Sequence, residues 1–174
     1  MFLLSEGSVF DFDLNLLSEL LEVIDRQLEV VLSGCDDFEE ADQLGYFDRV
    51  EHAVGLGFVA SQAYLTSTYG SLGIKKTAAL SVGPRHREGQ TIVAIINHAA
   101  NFWKHRDEWI LDNGVERQKT VRNLFEAIGC PVDQGYPLSC MLTKLADPSP
   151  ASFRPLVSLL AQWRDKLRES GPPL

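Results

Sequence analysis

Residues 53–74 read AVGLGFVASQAYLTSTYGSLGI and contain no charged side chain. A helix of these 22 residues is long enough to span a lipid bilayer. Polar side chains interrupt the stretch, however, and a hydroxyl or amide facing lipid would lack hydrogen-bond partners. The polar members are Ser61, Gln62, Thr66, Ser67, Thr68 and Ser71. The stretch therefore predicts a helix over residues 47–71 that is buried in a protein core, and we expect no membrane-spanning segment.

Helical spacing of apolar residues continues upstream of this stretch. The apolar residues that recur every three or four positions are Leu14, Leu17, Leu21, Ile24, Leu28 and Val31. This spacing predicts a helix over residues 14–32, because one face of such a helix would be apolar. Asp11 or Asp13 is available to cap its first turn.

Downstream, the same reasoning predicts helices over residues 89–111, 115–128 and 138–146, and a last helix that begins after Ser149 or Ser152. Two alternating apolar and polar runs joined by a turn, which would indicate a sheet, are not found in the sequence. The chain is therefore predicted to be all-α, a single-domain bundle of five or six helices over residues 1–170. Residues 171–174 are predicted to form a flexible tail.

The composition fits one cytoplasmic domain. Of the 174 residues, 45% are hydrophobic, which is sufficient for a core without metals or disulfides. Cys35, Cys130 and Cys140 leave at least one thiol unpaired, and this usage favours a reducing cytoplasm. A bridge between Cys130 and Cys140 is the alternative to two buried thiols, which are the more common outcome. No cofactor is predicted.

Charge is unevenly distributed along the chain. Residues 1–72 contain fourteen acidic and two basic residues, whereas residues 73–106 contain six basic residues and one acidic residue. Such asymmetry predicts either a patch that attracts a partner of opposite charge or two segments that neutralise each other. An acidic patch would attract a basic protein surface, and a basic patch would attract nucleic acid or a phosphorylated ligand.

The polar side of the predicted 89–111 helix is the strongest candidate for chemistry. It contains Asn97, Glu108 and the four candidate catalytic residues His98, Asn101, Lys104 and His105. Two histidines on one side could act as general base and general acid at a phosphodiester, with Lys104 stabilising the developing charge. The alternative is a helix side that faces solvent or a partner.

A basic loop precedes this helix. Arg85, His86 and Arg87 lie just before the free backbone N–H groups of its first turn, an arrangement that favours an anion. This is the candidate anion-binding site, and a solvated basic turn is its alternative. Metal binding is not predicted, because His105 and Glu108 form a single H-x-x-E pair and a second such pair is missing.

A small helical bundle with a basic, histidine-bearing helix resembles the HEPN nucleases. The motif of that family is an arginine, four to six residues and then a histidine. In this chain two residues separate Arg49 from His52 and ten separate Arg87 from His98, while Arg122-Asn123 resembles the start of the motif without a later histidine. The chain departs from the motif at its catalytic positions, so the family is not assigned.

Two functions are consistent with these patterns. The first is a non-enzymatic interaction or regulatory protein that acts through acidic (1–72) and basic (73–106) surfaces and binds a protein partner. The alternative is an RNA- or phosphate-directed enzyme or binder of the HEPN-like nuclease class, which would use the polar side of the 89–111 helix. The sequence leaves open whether the chain is an enzyme and whether it forms a homo-oligomer.

Overall fold

The computed structural model describes residues 2–5, 8–34, 37–111, 116–146 and 151–170. Within these residues the chain forms one β-hairpin followed by eight helices. Strands β1 (Phe2–Ser5) and β2 (Ser8–Asp11) pair antiparallel, with Phe2 opposite Asp11. The predicted tail at residues 171–174 and the thiol of Cys35 lie outside the described residues. The hairpin is an element that the sequence patterns did not indicate.

The helices account for most of the described residues, which confirms the all-α class. They are α1 (Phe12–Ser33), α2 (Phe38–Gln43), α3 (Tyr46–Ser71), α4 (Lys76–Ser81), α5 (Ile92–Leu111), α6 (Glu116–Ile128), α7 (Pro137–Ala146) and α8 (Arg154–Ser170). The predicted count of five or six helices is therefore too low for the described part of the chain. The two additional helices, α2 and α4, have six residues each and are too short to show a clear helical period.

Helices α3 and α5 form the centre of the bundle. Helix α3 packs against α1, α2, α4, α5 and α7, and α5 packs against α3, α4, α6, α7 and α8. Val54, Phe58 and Leu65 of α3 are fully or almost fully buried, as predicted for the uncharged stretch. None of the described helices combines the length and the apolar character needed to cross a membrane.

Two glycines allow neighbouring aromatic rings to approach α3 closely. A Cβ atom at Gly55 would overlap the indole ring of Trp103, and a Cβ atom at Gly57 would overlap the ring of Phe153. Glycine has no Cβ atom, so both rings reach the helix backbone. Gly55 and Gly57 therefore set the close approach of these two rings to α3.

A buried ion pair connects the start of α1 to α3 and α8. Asp11 caps α1 by accepting a hydrogen bond from the backbone N–H of Leu14 (3.0 Å). It also accepts from the Tyr64 hydroxyl (2.7 Å) and from Nη1 of Arg164 (2.9 Å). Burial raises the pKa of Tyr64 above its usual value, and the bond to Asp11 raises it further. The network fixes the position of α1 on the bundle.

Cys130 and Cys140 form a disulfide between the end of α6 and helix α7. This corrects the expectation of two separate buried thiols. The glycine- and proline-containing loop that joins α6 to α7 brings the two Cα atoms to 5.8 Å, a separation that a disulfide can bridge.

Candidate partner-binding site

Helix α1 has two apolar sides, and only one of them is buried. The buried side consists of the predicted residues Leu14, Leu17, Leu21, Ile24 and Leu28. The other side exposes between 47 and 68% of each side chain and consists of Phe12, Leu16, Leu20, Val23 and Val30. Single exposed apolar residues are ordinary, but a continuous apolar stripe on the surface marks an interaction site.

A groove lies between this exposed side of α1 and helix α3. It encloses about 430 Å³ and is lined mainly by apolar side chains, among them Leu16, Leu20, Ala60 and Ala63. Helix α1 contributes three leucines, whereas α3 contributes Tyr64 and the two small alanines, which leave the space open. We refer to Leu16, Leu20 and Val23 of α1 together with Leu56, Ala60 and Ala63 of α3 as the α1–α3 face.

The two helices of the α1–α3 face run in opposite directions. Asp13 in the first turn of α1 accepts a hydrogen bond from Ser67 near the end of α3 (2.8 Å). On each helix the three residues of the face follow at i, i+4 and i+7, so the two rows lie side by side over about 10 Å. Leu56 is also exposed, with 58% of its surface accessible, and it extends the apolar surface beyond the alanines.

The exposed charges of α1 are mainly negative. Glu19, Glu22 and Glu29 of α1 are exposed, and Arg26 is the single basic residue of the helix. Helix α3 contributes no Asp, Glu, Lys or Arg after Glu51. Glu22 lines the separate groove between α1 and α8, so the α1–α3 face is a mainly apolar groove with little charge of its own.

Other carboxylates of the acidic segment are used inside the protein. Asp25 is buried and accepts from the backbone N–H of Phe153 (2.8 Å) at the start of α8. Glu51 is buried and accepts from the backbone N–H groups of Leu138 (2.7 Å) and Ser139 (2.8 Å) at the start of α7. Both stabilise helix N-termini, where unpaired N–H groups favour negative charge. These carboxylates are structural and do not face a partner.

The polar residues of α5 are largely engaged by a single side chain of α3. Nε2 of Gln62 donates to Oδ1 of Asn97 (2.9 Å) and to Oδ1 of Asn101 (2.9 Å). Nζ of Lys104 donates to Oε1 of the same Gln62 (2.7 Å). Burial lowers the pKa of Lys104, and the charge of Lys76 lowers it further. The structure thus brings Asn101 and Lys104 together, but in a contact between two helices.

The two candidate catalytic histidines lie in different environments. His98 is half-buried, and its Nδ1 atom is buried without a hydrogen-bond partner in the described structure. Burial lowers the pKa of His98, and Lys76 lowers it further. His105 is exposed, and its Nδ1 atom lies 3.1 Å from Oε2 of Glu108. Neither histidine lines the α1–α3 groove or the smaller groove between α1 and α8.

The basic loop before α5 is stabilised by hydrogen bonds between its own side chains and nearby backbone groups. Arg85 donates to the carbonyl oxygens of Gly89 (2.6 Å) and Ser81 (3.3 Å). Nδ1 of His86 accepts from the backbone N–H two residues later (3.4 Å), and Arg87 is exposed. Arg85 and Arg87 therefore lie in one turn at the surface, with the Arg85 guanidinium already bound to the backbone.

Three of the six cations of the basic segment contact groups outside the acidic segment or neutral groups. Arg85 binds backbone carbonyls, and Lys104 binds the neutral Gln62. Arg106 stacks on Trp103, 3.8 Å from the ring centre, and lies 3.6 Å from Asp107. For these three cations the contacts are local.

The sequence contained a signal for the α1–α3 face that the prediction did not use. The exposed residues Phe12, Leu16, Leu20 and Val23 follow each other at intervals of four, four and three positions. This is a second helical period on α1, beside the one that identified its buried side. Two apolar stripes on one helix indicate that it contacts more than one neighbour.

Comparisons with known proteins add no assignment: no family model, no curated protein and no solved structure matches this chain. Among the residues that the structure describes, no group of three or more His, Cys, Asp or Glu side chains could hold a metal ion.

Proposed function

We propose that this chain is a non-enzymatic interaction or regulatory protein that binds a macromolecular partner through the α1–α3 face. The exposed apolar stripe of α1 is the observation that carries the proposal. The groove beside it gives that stripe a shape that a partner can fill. Interfaces of this kind combine an apolar centre with a polar rim.

The environment of α5 supports binding rather than catalysis. Asn97, Asn101 and Lys104 are joined to Gln62 of α3, and they contribute to packing between helices. A catalytic group must reach the atoms of its substrate. Asn101 and Lys104, two of the four residues predicted to do so, are instead hydrogen-bonded to Gln62.

Affinity purification from the source cell tests the proposal. The wild type is compared with the double variant Leu16→Asp/Leu20→Asp and with the control Leu44→Asp. Leu44 is exposed to a similar extent and lies outside the α1–α3 face. We expect a partner that is recovered with the wild type and with the control but lost with the double variant. The purified partner should bind the wild type and the control with similar affinity and the double variant more weakly. Equal recovery of the partner with all three proteins would contradict the proposal.

The second candidate function is RNA or phosphate binding at the start of α5, in the class of the HEPN-like nucleases. It is favoured by the unpartnered Nδ1 of His98, whose pKa responds to Lys76, and by the exposed Arg87 in the preceding loop. Such a site would bind RNA with an affinity that falls steeply with salt, because each phosphate contact releases counterions. Arg85→Ala/Arg87→Ala should flatten that dependence. No salt-sensitive affinity in the wild type would exclude this function.

A further inference from the structure

A second groove lies on the other side of α1, between α1 and α8. It encloses about 310 Å³, and its apolar lining comes from Leu14, Leu21, Val157 and Ala161. This volume is near the lower limit of ligand pockets in proteins, so the groove can hold a small molecule but not a further helix. We refer to it as the α1–α8 groove.

The two walls of the α1–α8 groove run in opposite directions. In the second half of α1, Asp25 accepts a hydrogen bond from the backbone N–H of Arg154 (3.1 Å), the first residue of α8. Asp11, just before α1, accepts from Nη1 of Arg164 (2.9 Å) in the second half of α8. Glu22 precedes Asp25 by about one turn of α1, so Glu22 and Arg154 line the same end of the groove. The opposite end of the groove is apolar.

One acidic and one basic side chain at the charged end lack partners. Glu22 and Arg154 are exposed, and in the part of the chain that the structure describes neither side chain forms a hydrogen bond or an ion pair. Asp25 also lines this end, but its carboxylate accepts from the Ser152 hydroxyl (2.7 Å) and from the backbone N–H of Phe153 (2.8 Å). The start of α8 therefore balances the charge of Asp25. The groove offers a ligand one negative and one positive group.

We infer that the α1–α8 groove binds a free apolar α-amino acid, and this inference does not depend on the function proposed above. The carboxylate of the ligand lies against the guanidinium of Arg154, which can donate two parallel hydrogen bonds to it. The ammonium group of the ligand donates to the carboxylate of Glu22. Both charged groups of an α-amino acid are attached to one carbon atom, so they fit a site whose acid and base lie at the same end. The apolar side chain of the ligand extends along the groove towards Leu14 and Ala161.

Other small ligands match the α1–α8 groove less well. An apolar carboxylate would pair with Arg154 but would leave Glu22 without a partner, and an apolar amine would do the reverse. A charged group that loses water without gaining a partner opposes binding. A peptide has its terminal charges at opposite ends, whereas the charged residues of this groove lie at one end.

Isothermal titration calorimetry at low salt tests the inference with leucine and phenylalanine as ligands. The comparison ligands are the analogue of leucine that lacks the ammonium group, the analogue that lacks the carboxylate, and glycine, which lacks the apolar side chain. The variants are Glu22→Gln and Arg154→Gln. Glu19→Gln and Arg26→Gln are the matched controls, because they remove the same charges from exposed positions of α1 outside the groove.

We expect leucine and phenylalanine to bind the wild type and both controls equally well, with a dissociation constant of about 1 mM or lower. Each comparison ligand should bind the wild type about tenfold more weakly or worse, because it lacks one of the three contacts. Glu22→Gln and Arg154→Gln should each weaken the binding of leucine about tenfold or more. The melting temperature of every variant without ligand confirms that it is folded.

The direction of the ligand in the groove is tested with Ala161→Leu, which narrows the apolar end. This variant should weaken the binding of phenylalanine about tenfold or more, because the added side chain occupies the place of the ring. If Ala161→Leu does not fold, the two charge variants still decide the question. Unchanged binding of phenylalanine by the folded variant would overturn the inference.

Three results would overturn the assignment of the ligand. The first is no binding of leucine or phenylalanine to the wild type at up to about 10 mM, since Glu22 and Arg154 would then serve no amino acid. The second is equal binding of leucine and of either analogue that lacks a charge. The third is equal binding of leucine by the wild type and by Glu22→Gln or Arg154→Gln. Leu16→Asp/Leu20→Asp should bind leucine as the wild type does, so failure of this inference and failure of the proposed function are distinguishable.

Discussion

Gly57 and Gly70 lie on the same helix, α3, but their surroundings differ. A Cβ atom at Gly57 would overlap the fully buried ring of Phe153, whereas no atom lies within 4 Å of a Cβ atom at Gly70. Gly57→Ala should therefore destabilise the protein by about 1–3 kcal/mol through overpacking. Gly70→Ala should stabilise it by up to about 1 kcal/mol, since alanine favours a helix over glycine. Urea denaturation measures both changes, and a Gly57→Ala variant as stable as the wild type would contradict the packing at Gly57.

His98 should make the stability of the protein sensitive to mild acid. Burial lowers its pKa below the ordinary value of 6.5, and Lys76 lowers it further. The unfolded chain therefore takes up a proton at a higher pH than the folded chain does. The stability linked to His98 is complete above about pH 6.5 and is lost as the pH falls through the lower pKa of the folded state.

Thermal unfolding at about pH 7.5 and about pH 5.5 measures this effect of His98. Acidification should lower the melting temperature of the wild type by more than it lowers that of His98→Gln. His105→Gln removes an exposed histidine of the same helix and provides the control for the loss of an imidazole. An equal loss in the wild type and in His98→Gln would show that His98 does not contribute.

At the scale of the element, the central position of α3 can be tested with two side chains that are close in sequence. Phe58 is fully buried, whereas Leu56 is 58% exposed. Phe58→Ala should lower the free energy of unfolding by about 2–5 kcal/mol, because it removes core contacts and leaves a cavity. Leu56→Ala should change it by less than about 0.5 kcal/mol. Chemical denaturation distinguishes them, and a similar small effect of both substitutions would place α3 at the periphery.

The long helices could be predicted because each one repeats apolar residues over several turns. Helix α1 was predicted at residues 14–32 and is observed at Phe12–Ser33. Helix α4 was missed because its six residues cover less than two turns and have no side-chain cap. The disulfide was the less favoured alternative, because the spacing of Cys130 and Cys140 allows pairing without requiring it.

The environment of the candidate residues could not be predicted, because it depends on contacts between distant helices. A helical projection places Asn97, Asn101 and Lys104 on the polar side of α5. It does not show that Gln62 of α3 reaches that side and binds all three residues. In contrast, the apolar stripe at Leu16 and Leu20 was visible in the sequence, but only the structure shows that other helices leave it uncovered.

At the scale of the whole molecule, the extent to which each helix is packed against others determines which helices unfold locally first. Helices α3 and α5 each contact at least five other helices, and Phe58, Ile95 and Ile96 within them are fully buried. Their backbone hydrogen bonds can break only when most of the core is disrupted. The six-residue helices α2 and α4 each bury a single alanine and can open without that disruption.

Native-state hydrogen exchange measures this order directly. The amides of α3 and α5 should exchange most slowly, with an opening free energy equal to that of global unfolding. Those of α2 and α4 should exchange earlier and should remain unaffected by Phe58→Ala. In Phe58→Ala the opening free energy of the slowest amides of α3 and α5 should fall by the same amount as the free energy of unfolding from chemical denaturation. Faster exchange in α5 than in α2 would mean that α5 is not part of the stable centre, and that Gln62 and its three partners do not hold α3 and α5 together.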